Sequence, residues 1–229
     1  MLIAHRNGMA VGKPIPYDAE VDYIGVGATI GPYIDTGYRW TTDNIKIDIE
    51  FLLTNNSNAL TGLFGSQKVG QDTNWGIQYW NISAGDVGHY IGNTTAFQWN
   101  PLISHKYHIV GETSASHDYS VAIDGVAHTG TWSGTVCQDV TTIGLFTLYN
   151  NSNMTARRTN NVNVYSFKLT DDGVLVRDMI PVRFKNENNQ SEGAMYDRLG
   201  VGGMNPDGSP RTDGLYRNLG TGAFVFPTA

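Results

Sequence analysis

Between Ile45 and Phe51 apolar and charged side chains alternate strictly, with Ile45, Ile47, Ile49 and Phe51 on one phase and Lys46, Asp48 and Glu50 on the other. A period of two marks a strand with one face in a core and one in water. The same alternation returns at Tyr119, Val121 and Ile123 against Ser120, Ala122 and Asp124. It returns again at Tyr165, Phe167 and Leu169 against Ser166 and Lys168. The first of these two runs ends in Asp124-Gly125 and the second in Asp171-Asp172-Gly173, residues suited to the positive-φ positions of tight hairpins. Further strands are expected at 21–25, 33–37, 60–65, 75–82, 87–91, 106–112, 127–132, 141–149, 174–183, 193–197 and 223–227. No segment keeps the i, i+3, i+4, i+7 apolar pattern of an amphipathic helix over three turns. Short, evenly spaced strands separated by turn residues predict an all-β fold, a two-sheet antiparallel jelly-roll sandwich.

Composition supports that prediction. The 229 residues are 40% hydrophobic and only 16% charged, with 27 glycines. Abundant glycine and asparagine supply turn conformations that other residues avoid. A net charge of −6 with no long basic run argues against binding nucleic acid through phosphates. The single cysteine, Cys137, excludes an internal disulfide framework and a thiolate metal cluster. No apolar window approaches membrane-span length, and the N-terminus lacks the apolar core of a signal peptide.

Three segments stand apart. Residues 1–20 carry Pro14 and Pro16 and read as an N-terminal arm, a docking segment leading into a jelly-roll domain over 21–229. Residues 185–192 form a polar loop, and residues 198–218 form a long loop rich in glycine and proline. Loops of that length are commonly functional or mobile.

The order of several short motifs is informative. Tyr33-Ile34-Asp35-Thr36-Gly37 is followed much later by Val164-Tyr165-Ser166-Phe167-Lys168-Leu169 and Asp172-Gly173. Next come Leu175-Val176-Arg177-Asp178-Met179-Ile180-Pro181-Val182-Arg183, then Gly193-Ala194-Met195-Tyr196-Asp197 and Leu219-Gly220-Thr221-Gly222-Ala223-Phe224. This succession resembles the laminin-G-like, concanavalin A-like jelly-roll module found in surface proteins of gut bacteria and their phages and prophages. The resemblance spans roughly 21–226, and it departs from the family pattern in the longer loop at 198–218 and in the arm. It implies a lectin-like sandwich but no single function.

The KIDIEF strand has the spacing of a glucanase catalytic strand, with alternate side chains about 6.5–7 Å apart. Retaining hydrolysis needs two carboxyl groups about 5–5.5 Å apart. Lys46 stands where the first acid would be, so the strand reads as a charged, solvent-facing surface and the protein as a non-enzyme. Sugars stack their C–H faces on flat aromatics and bond to amides. On that ground the region 74–100 offers Gln78, Trp80, His89, Tyr90, Asn93 and Trp99 as carbohydrate-binding candidates. No cofactor is expected. Calcium is the one ion considered, with Asp171 and Asp172, and the run Asn205-Pro206-Asp207-Gly208, as weak candidate ligands. His105 and His108 are three apart on an expected strand and therefore diverge. Arg177 and Asp178 read as a structural ion pair or a backbone-fixing pair.

The resulting expectation is a non-catalytic virion or surface protein, such as a phage capsid decoration, head-fibre or tail-associated protein. It would dock through its arm to other virion or surface proteins and assemble as a homo-oligomer. It would sit on the virion surface or outside a cell, without contacting nucleic acid or membrane. The alternative is a secreted or cell-surface carbohydrate-binding module, and a glycoside hydrolase is the enzyme reading.

Overall fold

The odd-numbered side chains of the KIDIEF run are buried and the even-numbered ones reach solvent to different extents. Alternation of this kind, repeated strand by strand, builds two sheets with a common interior. The computed structural model describes residues 15–28, 31–55, 61–68, 73–81, 86–92, 94–99, 101–134, 142–150, 153–202 and 209–227. Among these, there are strands and turns and no helix.

The larger sheet begins at one edge with β11 (Val126–Thr131), β10 (Asp118–Ile123), β9 (Lys106–Thr113) and β4 (Ile45–Leu53). It continues through β15 (Val162–Asp171), β16 (Val174–Lys185) and β17 (Ser191–Asp197) to β18 (Leu215–Tyr216). Strands β15 and β16 are bonded along 167–171 and then diverge. Two short strands fill the fork: β1 (Ala19–Glu20) pairs with β16, and β2 (Ile24–Val26) pairs with β15. The second sheet runs β14 (Asn153–Arg158), β13 (Thr147–Asn150), β5 (Thr61–Lys68), β6 (Thr73–Asn81), β7 (Asp86–Gly92), β8 (Thr94–Trp99). In it, β12 (Gly144–Leu145) bridges β5 and β3 (Ile34–Asp35). All pairings are antiparallel except β13 with β5.

The interior combines Ile45, Ile47, Ile49 and Phe51 with Ile109, Val121, Phe167 and Leu169 from one sheet and Leu63, Phe64, Ile91 and Leu145 from the other. Fully burying an aliphatic or aromatic side chain of this size contributes about 1.5–3 kcal/mol relative to exposure. A second, smaller cluster lies on the outer face of the large sheet, where Val182, Phe184, Ala194, Tyr196 and Leu215 are buried. Tyr17 caps it with its ring 4.9 Å from that of Tyr196, and the Arg217 guanidinium lies 4.6 Å over Phe184. The last residues of the expected arm are thus part of the sandwich. Asp18 N donates to Arg183 O at 2.8 Å, and Val21 N to Pro181 O at 3.1 Å.

The strands read from periodicity are present, with shifted ends. The expected strand at 223–227 is instead a single bridge, Gly25 to Val225, and the adjacent Phe224 is buried 5.0 Å from Phe146. Strands at 94–99 and 153–158 carry no clear alternation and were not expected from the sequence. The turns were legible: Asp124 and Gly125 have φ of 49° and 83°, and Asp172 and Gly173 have 48° and 77°. The closing motif is explained by contact. A Cβ on Gly220 would lie well inside van der Waals distance of Gly31 O, and one on Gly31 would do the same to Thr221 O. Asn218 clasps this crossing, with its Oδ1 accepting from Tyr33 N and Gly220 N.

Candidate functional site

The residues with sugar-binding chemistry fall on three successive antiparallel strands, β6, β7 and β8. In the backbone register Gln78 lies opposite Gly88, Tyr90 opposite Gly76, and His89 opposite Ile77, in the intervening row. Trp80 sits at an irregularity of the β6–β7 ladder, between Tyr79 and Asn81. Asn93, and the side chains of Gln78, Trp80, His89 and Tyr90, lie outside the described residues. Trp99 is described: it is half-buried and meets Tyr107 edge to face at 6.1 Å, packed against the main core.

The outer face of β4 is a ladder of ion pairs. Lys46 bonds Glu112 across β9. Asp48 takes His108 Nε2 at 3.0 Å and Lys168 Nζ at 3.6 Å, and Glu50 takes Lys106 Nζ at 2.6 Å. Lys106 Nζ also sits 4.4 Å from the centre of the Tyr165 ring. Each carboxylate of the KIDIEF strand therefore has a cationic or imidazole neighbour, as a compensated surface requires. His105 turns to Asp124 at 2.8 Å, so the two histidines separate onto different acids. Among the described residues no three His, Cys, Asp or Glu side chains gather as a metal site. Cys137 lies outside the described residues.

Asp171 is buried at the β15–β16 turn and does not fit a calcium site. Its Oδ2 accepts from Tyr38 Oη at 2.6 Å, Thr41 N at 2.8 Å and Thr41 Oγ1 at 2.7 Å, and its Oδ1 accepts from Thr42 Oγ1 at 2.5 Å. Those protons occupy the lone pairs a cation would need. Burial works to raise the Asp171 pKa, yet bonds from Thr42, Tyr38 and Thr41 outweigh it and hold the carboxyl below its ordinary value. Burial and the bond to Asp171 push Tyr38 up to about 12. Asp172 is exposed and accepts from Asn44 Nδ2 at 3.2 Å. The other calcium candidate, 205–208, lies outside the described residues.

Arg177 and Asp178 are neighbours that do not pair with each other. Arg177 points inward, 7% exposed, and donates to Thr36 O from Nε and Nη2 and to Val176 O from Nη1. Asp178 takes the fork of Arg198 at 2.8 and 2.9 Å. Of the roles read for this pair, backbone fixing falls to Arg177, and the ion pair is made by Asp178 with Arg198 of the turn after β17. Behind Arg177, Asp197 is fully buried, with Oδ1 accepting from Asp178 N and Leu199 N and Oδ2 3.9 Å from the guanidinium. Burial raises the Asp197 pKa more than those bonds and Arg177 lower it.

On the long loop a shallow cleft of about 210 Å³ is lined by Pro210, Arg211, Thr212 and Asp213. Asp213 is committed within it: Arg211 Nε donates at 3.1 Å, Leu215 N at 3.0 Å, and Arg217 lies 3.7 Å away. The roles of Asp197 and Asp213 escaped the sequence reading, since nothing local distinguishes an acid that ties distant segments together from a turn acid.

No protein-family model and no curated protein sequence matches the chain. Among solved structures, a candidate carbohydrate-binding protein from Bacteroides ovatus is similar, with a TM-score of 0.57 at 10% identity, covering 92% of this chain and 60% of that one. NanB with Optactamide gives a TM-score of 0.48 at 10% identity, over 90% of this chain and 38% of that one. Trypanosoma rangeli sialidase in complex with the inhibitor DANA gives 0.42 at 14% identity, over 69% and 31%. The chain spans less than two thirds of the length of each. At such identities the first likeness establishes the all-β, two-sheet sandwich architecture.

Proposed function

We propose that the chain is a non-catalytic carbohydrate-binding β-sandwich module working outside a cell or on a particle surface. One observation carries this reading: on hydrogen-bonded strands of one sheet, Gln78 and Tyr90 fall in the register rows that alternate with the row pairing Trp75 with the buried Ile91, and Trp80 follows two residues after Gln78 on β6. Flat rings supply stacking area for sugar C–H faces, and neighbouring amides supply orientation, the usual division of labour in a ligand site. The likeness to the Bacteroides ovatus protein supports the same reading. A binding role in place of hydrolysis is supported by the KIDIEF face, where Lys46 replaces an acid and Asp48 and Glu50 are engaged with basic partners. A phage decoration or fibre protein is a narrower form of this proposal and rests on the sequence resemblance.

A glycan array probed with the wild type and with Trp80→Ala and Gln78→Ala tests the reading. Binding to at least one glycan class is expected, weakened tenfold or more by Trp80→Ala at unchanged thermal stability. Absence of binding, or binding indifferent to both substitutions, would remove it.

A further inference from the structure

The large sheet ends on β11, a strand that buries almost nothing within one chain. Four of its six residues are exposed, and Val126 is 62% exposed. Neither apolar cluster takes a residue from it. Its attachment is the hairpin with β10, an unbroken ladder from Ile123–Val126 to Asp118–Thr131 closed by Asp124 and Gly125.

The phase of that ladder decides which backbone groups are left over. A two-residue hairpin makes Ile123 and Val126 its first bonded pair, so Val126, His128 and Gly130 exchange bonds with β10. Trp132 N continues the phase by donating to His117 O at 2.8 Å. The N–H and C=O groups of Ala127, Thr129 and Thr131 consequently point away from β10, and among the described residues β11 has no second hydrogen-bonded strand, although β8 of the other sheet lies close by. Proteins usually guard such an edge with lysine, proline, a bulge or an inward charge. The sequence Val-Ala-His-Thr-Gly-Thr has no lysine, arginine, acid or proline, and its register with β10 contains no bulge.

We propose that β11 is an association edge, on which the β11 of a second copy of this chain adds antiparallel and continues the sheet across a two-fold axis. Centred on Thr129, the pairing sets Thr129 against its own counterpart and Ala127 against Thr131 of the second copy, each facing pair exchanging two backbone bonds. Threonines facing each other across strands are a favourable pair. In the intervening row His128 meets Gly130 of the second copy, so no like charges are brought together. This self-complementarity makes a second copy the fitting occupant, and an isologous contact closes at the dimer. A dimer of this kind would present two copies of any ligand surface and raise avidity without new contacts.

Sedimentation velocity on the full chain over a range of micromolar concentrations, with amide hydrogen exchange, tests the proposal. The wild type is expected to sediment as a dimer, with Ala127, Thr129 and Thr131 amides protected and their exchange accelerating on dilution. Thr129→Pro removes an N–H that β10 does not use and is expected to give a folded monomer. Thr129→Lys, which keeps the N–H but sets like charges face to face, is expected to do the same should proline disturb the hairpin. A monomeric wild type overturns the proposal and leaves the edge to a strand of some other protein. A dimer that survives both substitutions, or one in which these three amides exchange freely, overturns it as well.

Discussion

Tyr38 donates its hydroxyl proton to Asp171 at 2.6 Å, joining the loop after β3 to a hairpin turn 133 residues away. Thr41 and Thr42 complete the set of donors, so a single buried carboxylate anchors the whole 38–42 segment. Because nothing about Asp171 other than its neighbours is unusual, its role is testable by removing the acceptor.

Asp171→Ala leaves the donors of Tyr38, Thr41 and Thr42 without their acceptor and is expected to cost about 3 kcal/mol or more, read by urea denaturation. The native pKa of Asp171 is below its ordinary value of 3.8. Its stabilising contribution is therefore present above pH 3.8 and lost as pH falls through the lower native value. The acid limb of the stability profile should flatten in Asp171→Asn.

Asp197 has the opposite sign. Burial raises its native pKa above 3.8, so its contribution is fully present below that value and is lost as pH rises through the native pKa. Asp197→Asn keeps an oxygen for Asp178 N and Leu199 N and removes the buried charge. The variant's Tm is expected to match or exceed that of the wild type at neutral pH, with the difference shrinking toward pH 4. A uniform loss at every pH would refute this account of Asp197.

Gly220→Ala forces a methyl group into Gly31 O, and backbone on both sides must move. A loss of about 2–3 kcal/mol is expected by thermal or denaturant unfolding, the size typical of overpacking. Gly200 is a useful control, since a Cβ there meets nothing within 4 Å and its φ of 75° is the only source of strain. Gly200→Ala should cost about 1 kcal/mol, from αL strain alone.

Glu50→Gln separates the enzyme reading from the surface reading. Its pair with Lys106 is partly exposed on both sides, so the substitution is expected to change stability by no more than about 1 kcal/mol. Glycan binding should be unaffected. Ile49→Ala, one residue away in the core, should cost about 2–5 kcal/mol. Hydrolysis of a β-glucan by the wild type that disappears in Glu50→Gln would overturn the binding-module proposal.

The alternation at 45–51, 119–124 and 167–169 and the turns at 124–125 and 171–173 were legible in the sequence, and with them the all-β class, whereas Tyr165, read on the apolar phase, sits at a bulge with Lys106 over its ring. So was the solvent-facing character of the KIDIEF charges, but their partners Glu112, His108, Lys106 and Lys168 come from β9 and β15 and needed the fold. The aromatic and amide content of 74–100 was legible too, but its assignment to three adjacent strands of one sheet needed the fold. Strands of two residues that were not expected, such as β1 and β18, are too short to carry a period and are held by the longer strands beside them, β16 and β17.

Local sequence determines where the backbone turns and which face of each strand is apolar, because both depend on residues within a few bonds of one another. It does not determine which segments meet. Only tertiary structure gave Asp171 to Tyr38, Arg198 to Asp178, and Gly31 to Gly220, pairs separated by 20 to 189 residues. The register that joins them is set by burial of whole faces at once, and no short window of the chain contains that information. The same register left the outward edge of β11 without a hydrogen-bonded strand among the described residues.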